Sequence, residues 1–367
     1  MRNVNVLTKQ NHPTTAGSGG AGRAHPVSSP AEVRSELPLT ASTARVVRAG
    51  RTAARAVLAG RDDRLLAVVG PCSIHDVEAG LSYAESLAGV AAALADDLVV
   101  VMRVYVEKPR TSAGWTGLLP DPGLDGGFDL DRGVRAARSL MLQVAGRGLP
   151  VATEWLSPSA PAYLADVVSW GAIGARTVES QVHRQLASGL PMPVGMKNGS
   201  TGSVKVALDA MRFASRPQAY LTPGQDGRVV ALRTSGNPDC HVVLRGGADR
   251  PNYHPEHVES TVEQLAAAGL PTGVVIDASH GNCGKDHVRQ ARVAAEIADQ
   301  VAGGCTDIRG VMLESFLVPG RQDLDGQAEP VFGQSVTDAC MGWDATVRSL
   351  HDLATAVRGR RKATVAA

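Results

Sequence analysis

Arg103, Glu107, Lys108 and Arg110 crowd one stretch of the chain, VVVMRVYVEKPRTSAGWTG, from Val99 to Gly117. They follow Val99, Val100 and Val101, a β-branched run without polar alternation that reads as a buried parallel strand. Pro109 breaks any helix across them. A strand that ends in clustered cations and then a Gly-containing loop has the form of an anion site at a strand's C-terminal end. A solvated basic loop has the same composition, so the stretch is not decisive alone.

The elements around it repeat a rhythm. Short apolar runs occur at Leu65–Val69, Leu98–Val104, Pro150–Thr153, Ala172–Arg176, Pro193–Met196, His241–Arg245, Gly273–Asp277 and Gly310–Glu314. Helical patterns lie between most of them: Asp76–Leu98 with Asp76 as N-cap, Gly133–Gly146, Pro158–Ser169, Ser203–Ala214, His254–Ala268, Asp286–Ala302 and Ser335–Val357. Eight strands alternating with helices predict an α/β fold, a (β/α)8 TIM barrel. An open doubly wound sheet is the alternative, but no Gly-x-Gly-x-x-Gly fingerprint follows a strand. Gln218–Arg233 reads as a β-hairpin inserted before strand six, turning near Asp226–Gly227. Residues 1–34, rich in Gly, Ser, Pro, Thr and Ala, are expected to form a disordered or loosely attached tail. Residues 35–367 are then a single catalytic domain with an N-terminal helix at Thr43–Gly60.

A barrel places its chemistry just past the C-terminal ends of its strands. In strand order those positions hold Cys72, Ser73 and His75; Arg103, Lys108 and Arg110; Glu154; Arg176 and Glu179; Lys197 and the loop 199–202; Arg245; Asp277 and His280; and Glu314. Every end carries an ionisable or metal-ligating side chain, which packing alone gives no reason to expect. Arg103, Lys108, Arg110, Arg176, Lys197 and Arg245 form a cationic ring, costly to assemble unless an anion fills it. Arginine forks suit carboxylate and phosphate, and lysine suits a compact charge. The ligand so implied is small and multiply anionic, with both phosphate and carboxylate. Cys72, His280, Glu314 and, less directly, Asp338 make a mixed soft and hard donor set. It suits Mn, Fe, Co or Zn better than Mg. Each has a plainer reading: Cys72 as a buried thiol, His280 as a turn residue, Asp338 as an early-helix acid. The buried Glu314 is harder to explain without a partner.

Composition narrows the class. The 367 residues carry 37 basic and 36 acidic side chains, a net charge of +1, and 44% apolar residues. Nothing there indicates a nucleic-acid or membrane surface. The five cysteines are scattered without metal-motif spacing, which points to a reducing compartment and no disulfide framework. MRNVNVLTKQ lacks the apolar core of a signal peptide, and no run approaches the length of a membrane span. A cytoplasmic protein is expected.

The motifs GPCSIHD (70–76), RVYVEKPRTSAGWTGLLPDP (103–122), SWGAIGARTVESQVHRQLASGLPMPVGMKNGS (169–200) and CHVVLRGG (240–247) closely resemble type I 3-deoxy-D-arabino-heptulosonate 7-phosphate (DAHP) synthases of the bacterial and fungal kind. IDASHGNCGK, GVMLESFLVPGRQ and SVTDACMGW extend the resemblance, which covers roughly residues 60 to 358. It implies the condensation of phosphoenolpyruvate with erythrose 4-phosphate and water, giving DAHP and phosphate, the first step of the shikimate pathway. It implies a divalent metal on Cys72, His280, Glu314 and Asp338, acting as a Lewis acid on the aldehyde. Phosphoenolpyruvate would be held by Arg103, Lys108, Arg176, Lys197 and Arg245. Erythrose 4-phosphate would meet Lys108, Pro109, Arg110 and Thr111. Lys108 is the proposed proton donor, with Glu154 and His75 as candidates for handling water. A homodimer or homotetramer is implied.

The chain departs from that pattern ahead of GPCS, where the segment is shorter and the tail is low-complexity. Pro191 also stands where a serine near the effector pocket is usual, so feedback inhibition by Phe, Tyr or Trp does not carry over. Among rivals, a sister synthase using arabinose 5-phosphate would have a KANRS-type loop in place of KPRTS (108–112). A Schiff-base aldolase on Lys197 does not account for the arginines. An inactive regulatory paralogue does not account for the intact metal and cation sets. Cys340, two residues past Asp338, is expected near Cys72 and able to pair with it on oxidation.

Overall fold

The computed structural model of the chain describes residue 22 and residues 24–324 and 329–366. Residues 1–21 and 23 of the expected tail lie outside these. The strands are β1 Leu65–Gly70, β2 Leu98–Arg103, β3 Val151–Glu154, β4 Val168–Ile173, β5 Val194–Lys197, β6 Ala219–Pro223, β7 Val229–Arg233, β8 Cys240–Leu244, β9 Val274–Asp277 and β10 Ile308–Glu314. The helices are α1 Pro30–Glu36, α2 Ala41–Leu58, α3 Val77–Ala93, α4 Leu130–Gly146, α5 Ala160–Leu164, α6 Gln181–Gly189, α7 Lys205–Ala214, α8 Pro255–Ala267, α9 His280–Cys283, α10 His287–Ala302 and α11 Trp343–Ala366.

Eight of the strands close a parallel barrel in the order β1-β10-β9-β8-β5-β4-β3-β2, and β6 and β7 form a separate antiparallel hairpin before the sixth barrel strand. This is the expected (β/α)8 barrel with its inserted hairpin. The hairpin turn uses Gly227, at φ +81°, where only glycine is unstrained. Among the described residues no helix is long and apolar enough to cross a membrane.

Side chains alternate inward and outward along each strand. Leu66 and Val68, Val99 and Val101, Ala152, Trp170 and Ala172, Val243, Val275 and Met312 make one interior cluster. Their neighbours Leu65, Ala67, Val69, Val100 and Met102 join the larger core between barrel and helices. Ala54, Val57 and Leu58 of α2 pack into the interior cluster and plug the end of the barrel away from the strand C-termini. Thr40 caps that helix, its hydroxyl accepting from Thr43 N at 3.2 Å. Asp76 caps α3 as expected, accepting from Glu78 N and Ala79 N.

The structure corrects several boundaries. The fourth strand is Val168–Ile173, not Ala172–Arg176. The chain turns at Gly174, whose carbonyl accepts from Thr177 N and Val178 N, so Arg176 sits in a turn beyond the strand. The last helix begins at Trp343, not Ser335. Residues 335–341 instead bridge to the segment after β10, at Ser315–Met341, Gly320–Cys340 and Arg321–Ser335. Asp338 is therefore a loop residue and not an early-helix acid. The helix α6 was not anticipated. Residues 30–34, assigned above to the tail, begin α1; Ser29 and Glu32 form a capping box there, and Val33 is fully buried.

Candidate active site

The phase of the strands sets the site. Two residues beyond each inward core residue stands the next inward position. Val101 leads to Arg103, Ala152 to Glu154, Gly195 to Lys197, Val243 to Arg245, Val275 to Asp277 and Met312 to Glu314. Strand ends that read as isolated ionisable residues thus converge on one mouth, because a period of two is built into every strand. Register adds to this: Gly70 pairs with Glu314 and Asp277 with Met312. Just past the end of β4 the next inward position is Gly174, and a Cβ there would lie 2.0 Å from Glu154 Oε1. The missing side chain makes room for that carboxylate.

Cys72, Glu314 and Asp338 offer donor atoms that all lie within 4.8 Å of one another. His280 stands beside them, its Nε2 3.6 Å from Glu314 Oε1. Its Nδ1 lies 2.9 Å from Asp277 Oδ2 and 2.7 Å from Ser279 Oγ, which leaves Nε2 toward the cluster. His280 itself sits at φ +53°, a strained conformation held by this packing. The Lys108 ammonium is 2.6 Å from Cys72 Sγ and 3.4 Å from Asp338 Oδ2. A thiol, an imidazole and two carboxylates around a position already balanced by one cation fit a divalent transition metal.

Protonation follows from the neighbours. Burial and Glu314 push the Cys72 thiol up to about 11. Burial favours neutral Lys108, but Cys72, Glu314 and Asp338 outweigh it and hold the ammonium well above the usual lysine range. Burial favours protonated Asp338, yet Lys108, His280 and Lys285 hold it well below the usual carboxylate range.

The cations arrive by different routes. Arg103 is fully buried, donates to Glu314 Oε1 at 3.0 Å and lies 4.0 Å over the Tyr105 ring. Lys197 pairs with buried Asp277 at 2.9 Å. Asn198 Oδ1 accepts from Arg245 N at 2.7 Å and fixes that loop. Lys108, Pro109, Glu154, Arg176, Lys197, Arg245, His280 and Asp338 line one pocket.

Not every expected residue reaches it. His75 opens on a different cavity, with its Nδ1 buried and unpartnered and its ring edge-on to Trp115 and Phe316. Arg110 and Thr111 are exposed and do not line the pocket, although Pro109 beside them does. Arg110 donates to Trp115 O at 2.8 Å within its own loop. Ser200, in the expected loop 199–202, also lines the pocket, whereas one charged lining residue was missed. Lys285, at φ +63°, puts its ammonium 3.3 Å from Asp338 Oδ1. The signal for Lys285 was present in IDASHGNCGK, but attention to strand ends stops at His280.

The profile of the DAHP synthetase I family matches residues 37–351. The chain is 48% identical over 346 residues to the phospho-2-dehydro-3-deoxyheptonate aldolase of Corynebacterium glutamicum, covering 92% of this chain and 94% of that one. It is 49% identical over 332 residues to the Phe-sensitive phospho-2-dehydro-3-deoxyheptonate aldolase of Escherichia coli K12, covering 90% and 95%. The solved structure of phospho-2-dehydro-3-deoxyheptonate aldolase from Francisella tularensis SCHU S4 superposes with a TM-score of 0.91 at 43% identity, over 93% of this chain and 99% of that one.

Proposed function

The chain belongs to the DAHP synthetase I family, and we propose that the mouth built from Cys72, Arg103, Lys108, Glu154, Arg176, Lys197, Arg245, His280, Glu314 and Asp338 is where it performs that family's reaction. It is a transferase that condenses phosphoenolpyruvate with erythrose 4-phosphate and water to DAHP and phosphate, the first step of the shikimate pathway.

Cys72, His280, Glu314 and Asp338 are the residues that would hold a divalent transition metal (Mn, Fe, Co or Zn), which when bound supplies a Lewis acid for the sugar aldehyde. The other residues have tasks of their own. Arg103, Lys108, Arg176, Lys197 and Arg245 bind the carboxylate and phosphate of phosphoenolpyruvate. The segment Lys108, Pro109, Arg110 and Thr111 receives erythrose 4-phosphate, with the two exposed residues closing over its phosphate. The nucleophilic C3 of phosphoenolpyruvate attacks the aldehyde carbon. Lys108, held as an ammonium, delivers a proton to the forming alkoxide. Water adds at C2, with Glu154 as the carboxylate placed to take its proton, and phosphate leaves by C–O cleavage. Holding two anions together in one cationic mouth supplies proximity, worth up to about 7–11 kcal/mol in well-oriented systems.

The observation that carries this reading is the Cys72, Glu314 and Asp338 cluster, with Lys108 at 2.6 Å, opening on the pocket that Arg176, Lys197 and Arg245 line. Turnover of metal-loaded protein with erythrose 4-phosphate and with arabinose 5-phosphate tests it. Preference for the pentose, or no product with either sugar, would sink it. The assembly in this reading is a homodimer or homotetramer, supported by Leu221 and Val229 of the hairpin, which are 72% and 71% exposed. Light scattering of a monomer at micromolar concentration would contradict that part.

A further inference from the structure

A second pocket lies against the loops that follow β8 and β9, and the chemistry above does not use it. It is a cavity of about 430 Å³ that shares no lining residue with the mouth. Arg250, Arg289 and Arg292 line it, together with Tyr253, His254 and Glu296. Among the described residues, no side-chain hydrogen bond or ion pair within 4.0 Å holds any of these three exposed guanidinium groups, although Arg289 lies near enough to Asp286 to lower its pKa. Elsewhere in the chain Arg55, Arg64, Arg135, Arg138 and Arg147 all reach carboxylates. The two carboxylates of the pocket do not neutralise it. Glu296 already accepts from Tyr253 Oη at 2.9 Å and lies 4.0 Å from His254 Nδ1, which leaves Asp249. The Tyr253 and His254 rings lie 4.2 Å apart, centroid to centroid, and form a firm wall.

Three unpaired arginine forks around one small space suit a tetrahedral dianion, which accepts several charge-assisted hydrogen bonds at once. We propose that this pocket binds a phosphate group, presented by a small phosphomonoester or as the free ion, on Arg250, Arg289 and Arg292. Its position gives the occupant a route to the reaction. Gly281, Asn282 and Gly284 also line the cavity, and they connect His280 to Lys285. Arg289 Nη1 lies 3.4 Å from where a Cβ on Gly284 would stand, and Gly284 ends α9 at φ +63°. Gly281 N donates to Arg245 O at 3.0 Å, so the backbone that meets the anion also holds Arg245. An occupant therefore stiffens the loops of Arg245 and His280. This coupling rests on the active-site reading above, whereas the binding does not.

Calorimetry on metal-loaded protein saturated with phosphoenolpyruvate, titrated with glycerol 3-phosphate and separately with inorganic phosphate, tests the binding. The prediction is a binding event separate from any at the sugar-phosphate segment Lys108–Thr111, weakened at least about tenfold in the Arg289→Ala/Arg292→Ala variant and unchanged in Arg110→Ala. The Arg289→Ala/Arg292→Ala variant should keep the wild-type melting temperature in phosphate-free buffer, which separates loss of the site from loss of the fold. Tighter binding of glycerol 3-phosphate assigns the occupant as a phosphomonoester, and equal affinity assigns it as free phosphate; both support the site. Absence of heat with either anion, or undiminished binding to the variant, would overturn it. A bound anion that leaves the KM for phosphoenolpyruvate unchanged would overturn the coupling alone.

Discussion

Lys108 Nζ lies 2.6 Å from Cys72 Sγ, joining the KPRT loop after β2 to the GPCS turn after β1. The two meet at the strand ends of neighbouring, register-paired strands, where Val69 pairs with Met102. One side chain belongs to the proposed substrate ring and the other to the proposed metal set, so the contact is where the two halves of the site join.

The first prediction concerns that lysine. Lys108→Gln keeps a donor but removes the proton and the charge. It should lower kcat by about 10²–10⁴-fold, the range for losing a general acid. A steady-state assay that found less than a tenfold loss would remove Lys108 from its role.

A second prediction concerns Cys340, whose Sγ accepts from Cys72 N at 3.3 Å. Treating metal-free protein with hydrogen peroxide should join Cys72 to Cys340, two thiols losing two electrons and two protons as peroxide becomes two waters. Activity should be lost and return with dithiothreitol. Non-reducing peptide mapping that finds only free thiols at both positions would count against it.

The barrel interior makes a third prediction. A Cβ on Gly195 would lie 2.5 Å from Val243 Cγ2 and 2.6 Å from Trp170 Cζ2. Gly195→Ala should destabilise the fold by about 1–3 kcal/mol through overpacking. An unchanged denaturation midpoint would mean that residue 195 does not face the interior.

The fourth prediction is a pH dependence outside the site. Burial holds His241 down to about 4, and its Nε2 accepts from Trp170 Nε1 at 3.2 Å, so the folded state keeps it neutral. As pH falls below 6.5 the unfolded chain takes a proton that the folded chain refuses. Stability from this group is complete above pH 6.5 and is lost toward pH 4, by roughly 3 kcal/mol in all. Denaturant midpoints for His241→Gln should fall less steeply between those values than for the wild type; parallel curves would contradict the assignment.

What was legible in the sequence follows from what period and residue type encode. The strand runs and the mouth residues Arg103, Glu154, Lys197, Arg245, Asp277 and Glu314 could be found because strand ends share one geometry. Asp338 was harder to place, because its position depends on the bridges between residues 315–321 and 335–341, which are long-range pairings without a local pattern. Lys285 was missed for a similar reason: a short turn through left-handed Gly284 carries it back to Asp338. His75 looked equivalent to its neighbours because one-dimensional proximity to Cys72 does not reveal the side on which the chain turns. Residue type marks which side chains can carry charge or hold a metal, and loop direction is the part it does not encode.

The most direct test of the account is to count bound metal. Metal-stripped protein titrated with Mn(II), with free ion followed by electron paramagnetic resonance, should bind one ion per chain. Asp338→Asn and Cys72→Ala should each weaken that binding strongly while still binding phosphoenolpyruvate on the cationic ring. Wild-type metal affinity in both variants would contradict the site proposed here.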